Sequence, residues 1–405
     1  MTTHAPPPHR VLFVDDEPAI LTGLSRMLRP LRHEIQSEFV NGGAEALDRL
    51  AKEPFDIVIA DIRMPGMDGA ALLDAVQRQH PHIIRIVLSG HADVSAALRA
   101  VPVAHQFLAK PCDAAALREV ITRAVGLHKL LADRELQGLV AGMRDIPARP
   151  KTYSELTRLL EEPKTTASDI AKLVSRDVAL SATLLKIVNS AFFGLPRRVT
   201  AIESAINYLG TSMLRAVILA TAATSSLGPR ARKFGYDLEA NETHALLSAN
   251  LAAQFFNDKN LREDAFAAGL LQNVGVLLLL AEGSEDTLAA VQHAANQGVP
   301  LQQAERELGL ISHAYVGAYL LGSWGLPYSI VEAVAHHHEP EAIPHDKLDI
   351  VDAVYAATLI ADCYLYDKPE CLAQARAHLE RFEMVDRLSR VQASAEHWLN
   401  PQEKG

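Results

Sequence analysis

The chain has little cysteine. Cys112, Cys363 and Cys371, in 405 residues, form no CxxC pair and no disulfide framework. This excludes a small disulfide-held fold and points to a reducing cytoplasm. No apolar run reaches the ~20 residues that cross a bilayer. The best, Val274 to Ala281, follows directly on Gln272 and Asn273. The opening MTTHAPPPHR lacks the apolar stretch of a secretory signal. Positive charge is also short: 39 Lys and Arg stand against 49 Asp and Glu, a net charge of −10. That argues against a chain whose main work is to coat nucleic acid or an anionic membrane. The two basic clusters, PRR at 196–198 and PRARK at 229–233, fall in expected loops with no recognisable reading helix. What is present is ordinary. Hydrophobic residues make up 49% and charged residues 22%, enough for more than one buried core and, at roughly 150 residues each, two or three domains.

Residues 1–9 read as a polar tail. From Val11, the runs VLFV, FDIVIA, IIRIVL and HQFLA are short, apolar and β-branched, as in strands buried on both faces. A fifth, weaker strand fits Glu34 to Val40. Helical patterns lie between them, such as Ile20-Leu21-Leu24-Met27-Leu28 and Leu72-Leu73-Val76. Strand alternating with helix predicts an α/β, doubly wound, five-stranded parallel sheet over residues 10–125. A stripe of Leu117, Val120, Ile121, Ala124, Leu127, Leu131 and Leu136 then predicts one long helix over 113–143. Its apolar face must be covered, either by the second domain or by the same helix of a second chain in a homodimer. IPARP at 146–150 breaks the chain. Everything beyond reads as helix: an all-α domain over 144–345, with further helices over 346–405 packed on it.

In open parallel sheets chemistry collects at the carboxyl ends of the strands. Here those ends carry Asp15-Asp16, Asp61, Ser89 and Lys110. Taken singly, an acidic pair after a strand is a turn and a lone lysine a solvated side chain. Together on four strand ends, three carboxylates call for a divalent cation with hard oxygen ligands, and Mg²⁺ suits them. A lysine and a hydroxyl beside that ion make a socket for a phosphoryl group.

VLFVDDEP, ADIRMPGMDG, VLSG and FLAKP resemble the receiver domain of two-component response regulators. The resemblance implies that Asp61 accepts a phosphoryl group from a partner histidine kinase. Asp15, Asp16 and Asp61, with the backbone carbonyl of Arg63, would hold Mg²⁺. Ser89 and Lys110 would contact the phosphoryl oxygens, and Phe107 stands at the switch aromatic.

In the second region, NSAFFG, GLLQNVGVLLL, SHAYVGAYLLGSWGLP and AVAHHHEP resemble the HDOD domains, all-helical relatives of the HD and HD-GYP metal phosphohydrolases. Active relatives carry adjacent His and Asp where this chain has Gln272-Asn273. Neutral amides cannot supply the charge that a tight Mg²⁺, Mn²⁺ or Fe site needs. The GYP segment is replaced by PEAIPHDKL. His244, His313, His337, His338 and Asp362 align with the remaining ligand positions. The resemblance therefore implies a degenerate pocket with no catalytic residues and no tightly bound metal. Its output would be binding of another protein or a nucleotide second messenger, with no nucleic acid or membrane as partner. The alternative is a phosphorylation-gated cyclic di-nucleotide phosphodiesterase.

Overall fold

The computed structural model describes residues 9–33, 35–80, 83–90, 104, 106–110, 117–118, 120–126, 134–143, 150–162, 164–189, 199–324, 326–343 and 345–399. The chain divides into two compact units, one before Gly138 and one after it, with Leu321–Tyr328 grouped with the first.

The first unit is built on a parallel sheet of five strands: β1 His9–Val14, β2 Ile35–Val40, β3 Ile57–Asp61, β4 Ile84–Gly90 and β5 Gln106–Lys110. Their order in the sheet is β2-β1-β3-β4-β5. Helices α1 (Pro18–Met27), α2 (Gly43–Leu50) and α3 (Gly69–Gln79) connect the first four. The inner strands β1 and β3 carry continuous buried apolar runs, Val11–Val14 and Ile57–Ala60, because both their faces are covered, whereas β2 (IQSEFV) is mixed and partly exposed. On one face Leu12, Val14, Val58 and Ala60 meet Leu72, Leu73 and Val76 of α3, all buried. Of the expected long helix over 113–143, residues 117–118 and 120–126 are helical, and so is α4, Arg134–Gly142. Residues 127–133, on which its continuity depends, lie outside the described residues.

The second unit contains only helices among its described elements. Those that carry the candidate pocket are α5 (Leu238–Ala253), α6 (Lys259–Leu271), α7 (Val274–Ala281), α8 (His313–Ser323), α9 (Tyr328–His336) and α10 (Ile350–Tyr366); α11, Pro369–Glu380, follows. The stretch Lys259–Ala281 is two helices, α6 and α7, interrupted at Gln272 and Asn273. One expectation is corrected here. The PRARK cluster does not form a loop: residues 229–232 close the helix Ile202–Arg232, which carries Pro229 inside it and kinks at Gly210, φ +76°. Pro229 removes one amide donor from that helix without ending it. Helix Ile202–Arg232 and the stretch Lys259–Ala281 are long and apolar enough to cross a membrane, but the apolar window of the latter is 83% buried within the protein. Such helices are equally the core of a globular domain.

A buried array fastens the C-terminal helices. Asp352, on the first turn of α10, is fully buried and accepts from His345 Nε2 at 2.6 Å and from His378 Nε2, on α11, at 2.8 Å. The Asp349 amide donates to it at 2.8 Å. Glu341 stands 3.4 Å from His378 Nδ1 and is itself paired with Arg381. The hydrogen bond to Asp352 raises the pKa of His345 above 6.5, against burial. Burial pushes Asp352 up, but the two histidines and the Asp349 amide outweigh it and hold the carboxyl below 3.8. The His345 contribution is therefore complete below pH 6.5 and lost as pH rises through its higher folded value. The Asp352 contribution is present above 3.8 and lost as pH falls through its lower one. We expect the denaturation midpoint of this domain to drop between pH 6 and 8, and His345→Gln to flatten that slope. Equal slopes in the two proteins would show that the array carries no such linkage.

Candidate functional sites

Parallel pairing sets the first site. Val14 lies opposite Ala60, and Asp61 opposite Leu88, so the loop after β1 and the end of β3 come together. Ser89 lies opposite Ala109, and Gly90 opposite Lys110, at the same end of the sheet. β5 is two strands from β3, roughly 10 Å at normal strand spacing, a span the long lysine chain can cover. Lys110 Nζ donates to Asp15 Oδ2 at 2.7 Å and also to Asp61 Oδ1. The other Asp61 oxygen accepts from the Arg63 amide at 2.8 Å, and Asp15 Oδ1 accepts from the Glu17 amide at 2.9 Å.

Asp15 and Asp61 are buried. Burial raises the pKa of Asp61, opposed by Lys110 and the Arg63 amide. For Lys110, burial is the largest single influence and lowers the pKa, but the two carboxylates together outweigh it and raise it. Asp16 is partly buried, and the hydrogen bonds of this group do not include it. The side chains of Ser89 and Phe107 lie outside the described residues. Two buried carboxylates sharing one ammonium leave negative charge on hard oxygens, a donor set that fits Mg²⁺.

One contributor was missed from sequence. Gly69, at the start of α3, lies so close that a Cβ there would fall 2.1 Å from the Asp61 carbonyl oxygen. Its amide donates to the Ile62 carbonyl at 3.1 Å. The glycine of MDG lets the helix close under the strand end, and the motif itself was the available signal.

The second site gathers residues far apart in sequence. His244 Nε2 on α5 donates to Asp362 Oδ1 on α10 at 3.0 Å. Gln272 is fully buried and accepts from Thr358 Oγ1 at 2.7 Å. Asn273 Nδ2 donates to Asn241 Oδ1 at 3.2 Å, as does Tyr236 Oη at 3.0 Å. Gln272 and Asn273 are thus each held in neutral hydrogen bonds. His313, His337 and His338 form a cluster, with one ligand atom of each within 4.8 Å of the others, and His244 lies near enough to act on His337 and His338 through its charge. Burial, then its histidine neighbours, pushes His337 down to about 3 and holds His338 well below the ordinary range. These two are neutral imidazoles at pH 7. Glu305, also missed from sequence, is buried and accepts from both the amide and the ring of His313. Nothing in AERELG marks it beyond its lying eight residues before that histidine.

Comparison with known proteins places two domains in this chain. The response regulator receiver domain matches residues 11–122, and the HDOD domain matches residues 146–340. This chain joins a receiver domain to an HDOD domain. An "Uncharacterized protein" of Treponema pallidum (strain Nichols) is 28% identical over 243 residues, 60% of this chain and 45% of that one. The DNA-binding transcriptional regulator NtrC of Escherichia coli (strain K12) is 36% identical over 120 residues, 29% of this chain and 25% of that one. The chain thus spans less than half the length of either relative. A solved structure of a putative phosphohydrolase from Shewanella amazonensis SB2B covers 66% of this chain and 98% of its own, at 23% identity and a TM-score of 0.50. At that identity it speaks for the HDOD fold alone.

Proposed function

We propose that Asp61 takes a phosphoryl group from a histidine kinase and that the HDOD domain passes the signal on by binding rather than by hydrolysis. The observation that carries this is the Lys110 ammonium held between Asp15 and Asp61 at the ends of three strands. A carboxylate oxygen of Asp61 forms the new P–O bond while the P–N bond of the phosphohistidine breaks. Asp61 is a weak nucleophile, so charge gathering on the phosphoryl oxygens must be offset. Asp15, Asp16, Asp61 and the Arg63 carbonyl would hold Mg²⁺, whose charge would offset part of it. Lys110 supplies the rest and exchanges its carboxylate partner for the phosphoryl group. Ser89 and Phe107 are the proposed switch, a two-state element biased by the new charge. The neutral Gln272–Thr358 and Asn273–Asn241 contacts support a non-catalytic output domain, acting on a protein or a nucleotide messenger in the cytoplasm.

Lys110→Ala tests the coupling. We expect the receiver to remain folded and to accept phosphate slowly, while beryllofluoride no longer changes hydrogen exchange in the HDOD domain. Wild-type exchange changes in the variant would remove Lys110 from the switch. Incubation of the wild-type protein with cyclic di-GMP and Mn²⁺ should give no hydrolysis above buffer, and turnover would restore the phosphodiesterase reading.

A further inference from the structure

The two-metal centre of HD-type hydrolases needs free carboxylates, and the described residues at this site do not offer them. Gln272 and Asn273 are neutral and engaged with Thr358 and Asn241, and Asp362 is paired with His244. An oxygen-rich centre for two ions does not fit these residues. The cluster of His313, His337 and His338 has a different chemistry, because it offers three imidazole nitrogens and no carboxylate.

The hydrogen bonds fix which nitrogens are free. His313 Nδ1 lies 2.9 and 3.0 Å from the two oxygens of Glu305. An ionised carboxylate only accepts, so Nδ1 carries the proton and Nε2 presents a lone pair. His337 Nδ1 lies 2.7 Å from the Val334 carbonyl, which also only accepts. Its Nε2 is therefore a lone pair as well. That atom is buried in a residue with no exposure and has no hydrogen-bond partner. An unpaired buried acceptor is unfavourable, and here the fold keeps one beside two further imidazoles. His338 Nε2 stands 3.2 Å from His313 Nε2. A tetrahedral ion with bonds of 2.0–2.1 Å places its ligand nitrogens about 3.3 Å apart. Glu305 and the Val334 carbonyl are the outer partners that orient metal-binding imidazoles.

We propose that His313, His337 and His338 bind one zinc-class divalent ion in a mononuclear, all-nitrogen site. The ion joins the first residue of α8 to the turn after α9. Imidazole favours Zn²⁺, Co²⁺, Ni²⁺ or Cu²⁺ over Mg²⁺ and Mn²⁺. This departs from the metal-free second domain expected from sequence. Gln272-Asn273 removes the carboxylate half of the ancestral centre and leaves a nitrogen half with its own preference. On binding, the proton that His338 shares with His313 moves to the other nitrogen of His338 or to solvent, and the lone pair it leaves goes to the ion.

The full chain, stripped with a chelator, is titrated with Co²⁺ and Zn²⁺. We expect one ion per chain by native mass spectrometry, an intense visible Co²⁺ spectrum of four-coordinate type displaced by Zn²⁺, and a raised unfolding temperature. Mg²⁺ and Mn²⁺ at equal concentration should raise it little. His338→Gln, at the partly exposed member, should abolish the spectrum with an unchanged circular dichroism. Glu305→Gln should weaken Zn²⁺ binding by about 10–100-fold, the usual effect of losing an orienting partner. No visible spectrum in the wild-type chain overturns the site, as does a spectrum and stoichiometry unaltered in His338→Gln.

Discussion

Asp61→Asn should abolish phosphorylation. With acetyl phosphate and Mg²⁺, the wild-type chain should gain one phosphoryl group, released by hydroxylamine as acyl phosphates are. The variant should label at least about 100-fold less, because an amide offers no anionic oxygen to attack phosphorus. The fold should survive. The amide keeps an oxygen for the Arg63 N–H, and Lys110 keeps Asp15. Removal of a carboxylate whose pKa is raised by burial also relieves a charge held in a poor solvent. A folded carboxyl with a raised pKa costs stability once pH exceeds its unfolded value near 3.8. The denaturation midpoint of the variant at pH 7 should accordingly not fall below that of the wild type. Labelling at the wild-type level would place the acceptor elsewhere. Normal folding with no labelling in either protein would mean that the receiver pocket is inert.

Gly275→Ala should be the most damaging single-methyl change in the HDOD domain. Helices α7 and α8 cross with backbone against backbone. A Cβ on Gly275 would fall 2.0 Å from the His313 carbonyl oxygen and 2.7 Å from the Gly317 amide nitrogen. Backbone cannot swing aside as a side-chain tip can, so the helices must part. We expect a loss of at least ~3 kcal/mol, a large fraction of the 5–15 kcal/mol that holds typical domains. The HDOD transition in urea should move to much lower concentration while the receiver transition stays. Displacement of α8 should carry His313 with it and spoil the histidine cluster. Gly23→Ala is the control. In α1 that Cβ meets nothing within 4 Å, so the variant should gain up to about 1 kcal/mol from helix propensity. A Gly275→Ala protein as stable as wild type would show that the crossing is looser than these distances require.

The receiver was legible because its chemistry is local. Each functional side chain follows directly on an apolar strand, and parallel pairing can only bring such ends to one edge. The meeting of Asp15, Asp61 and Lys110 follows from strand order and little else. The HDOD site is assembled differently. His337 and His338 are neighbours in sequence, but His244 and Asp362 are 118 residues apart, and Gln272 and Thr358 are 86 apart. Their pairing depends on which helix faces pack together, which periodicity does not specify. The end of the long helix at Arg232, rather than a loop at Pro229, was likewise a tertiary outcome.

By itself, then, the sequence determined the two domains, the strand-end residues of the receiver and the neutral chemistry of Gln272-Asn273. These rest on contiguous pattern and on the chemistry of single side chains. Only the tertiary structure decided that Gly69 and Gly275 lie against backbone, that Asp352 gathers two histidines, and that Glu305 turns His313 so that its free nitrogen meets those of its neighbours. Each of those depends on distances between separate helices or loops. Such distances are set by how whole faces pack, and no short stretch of sequence encodes them.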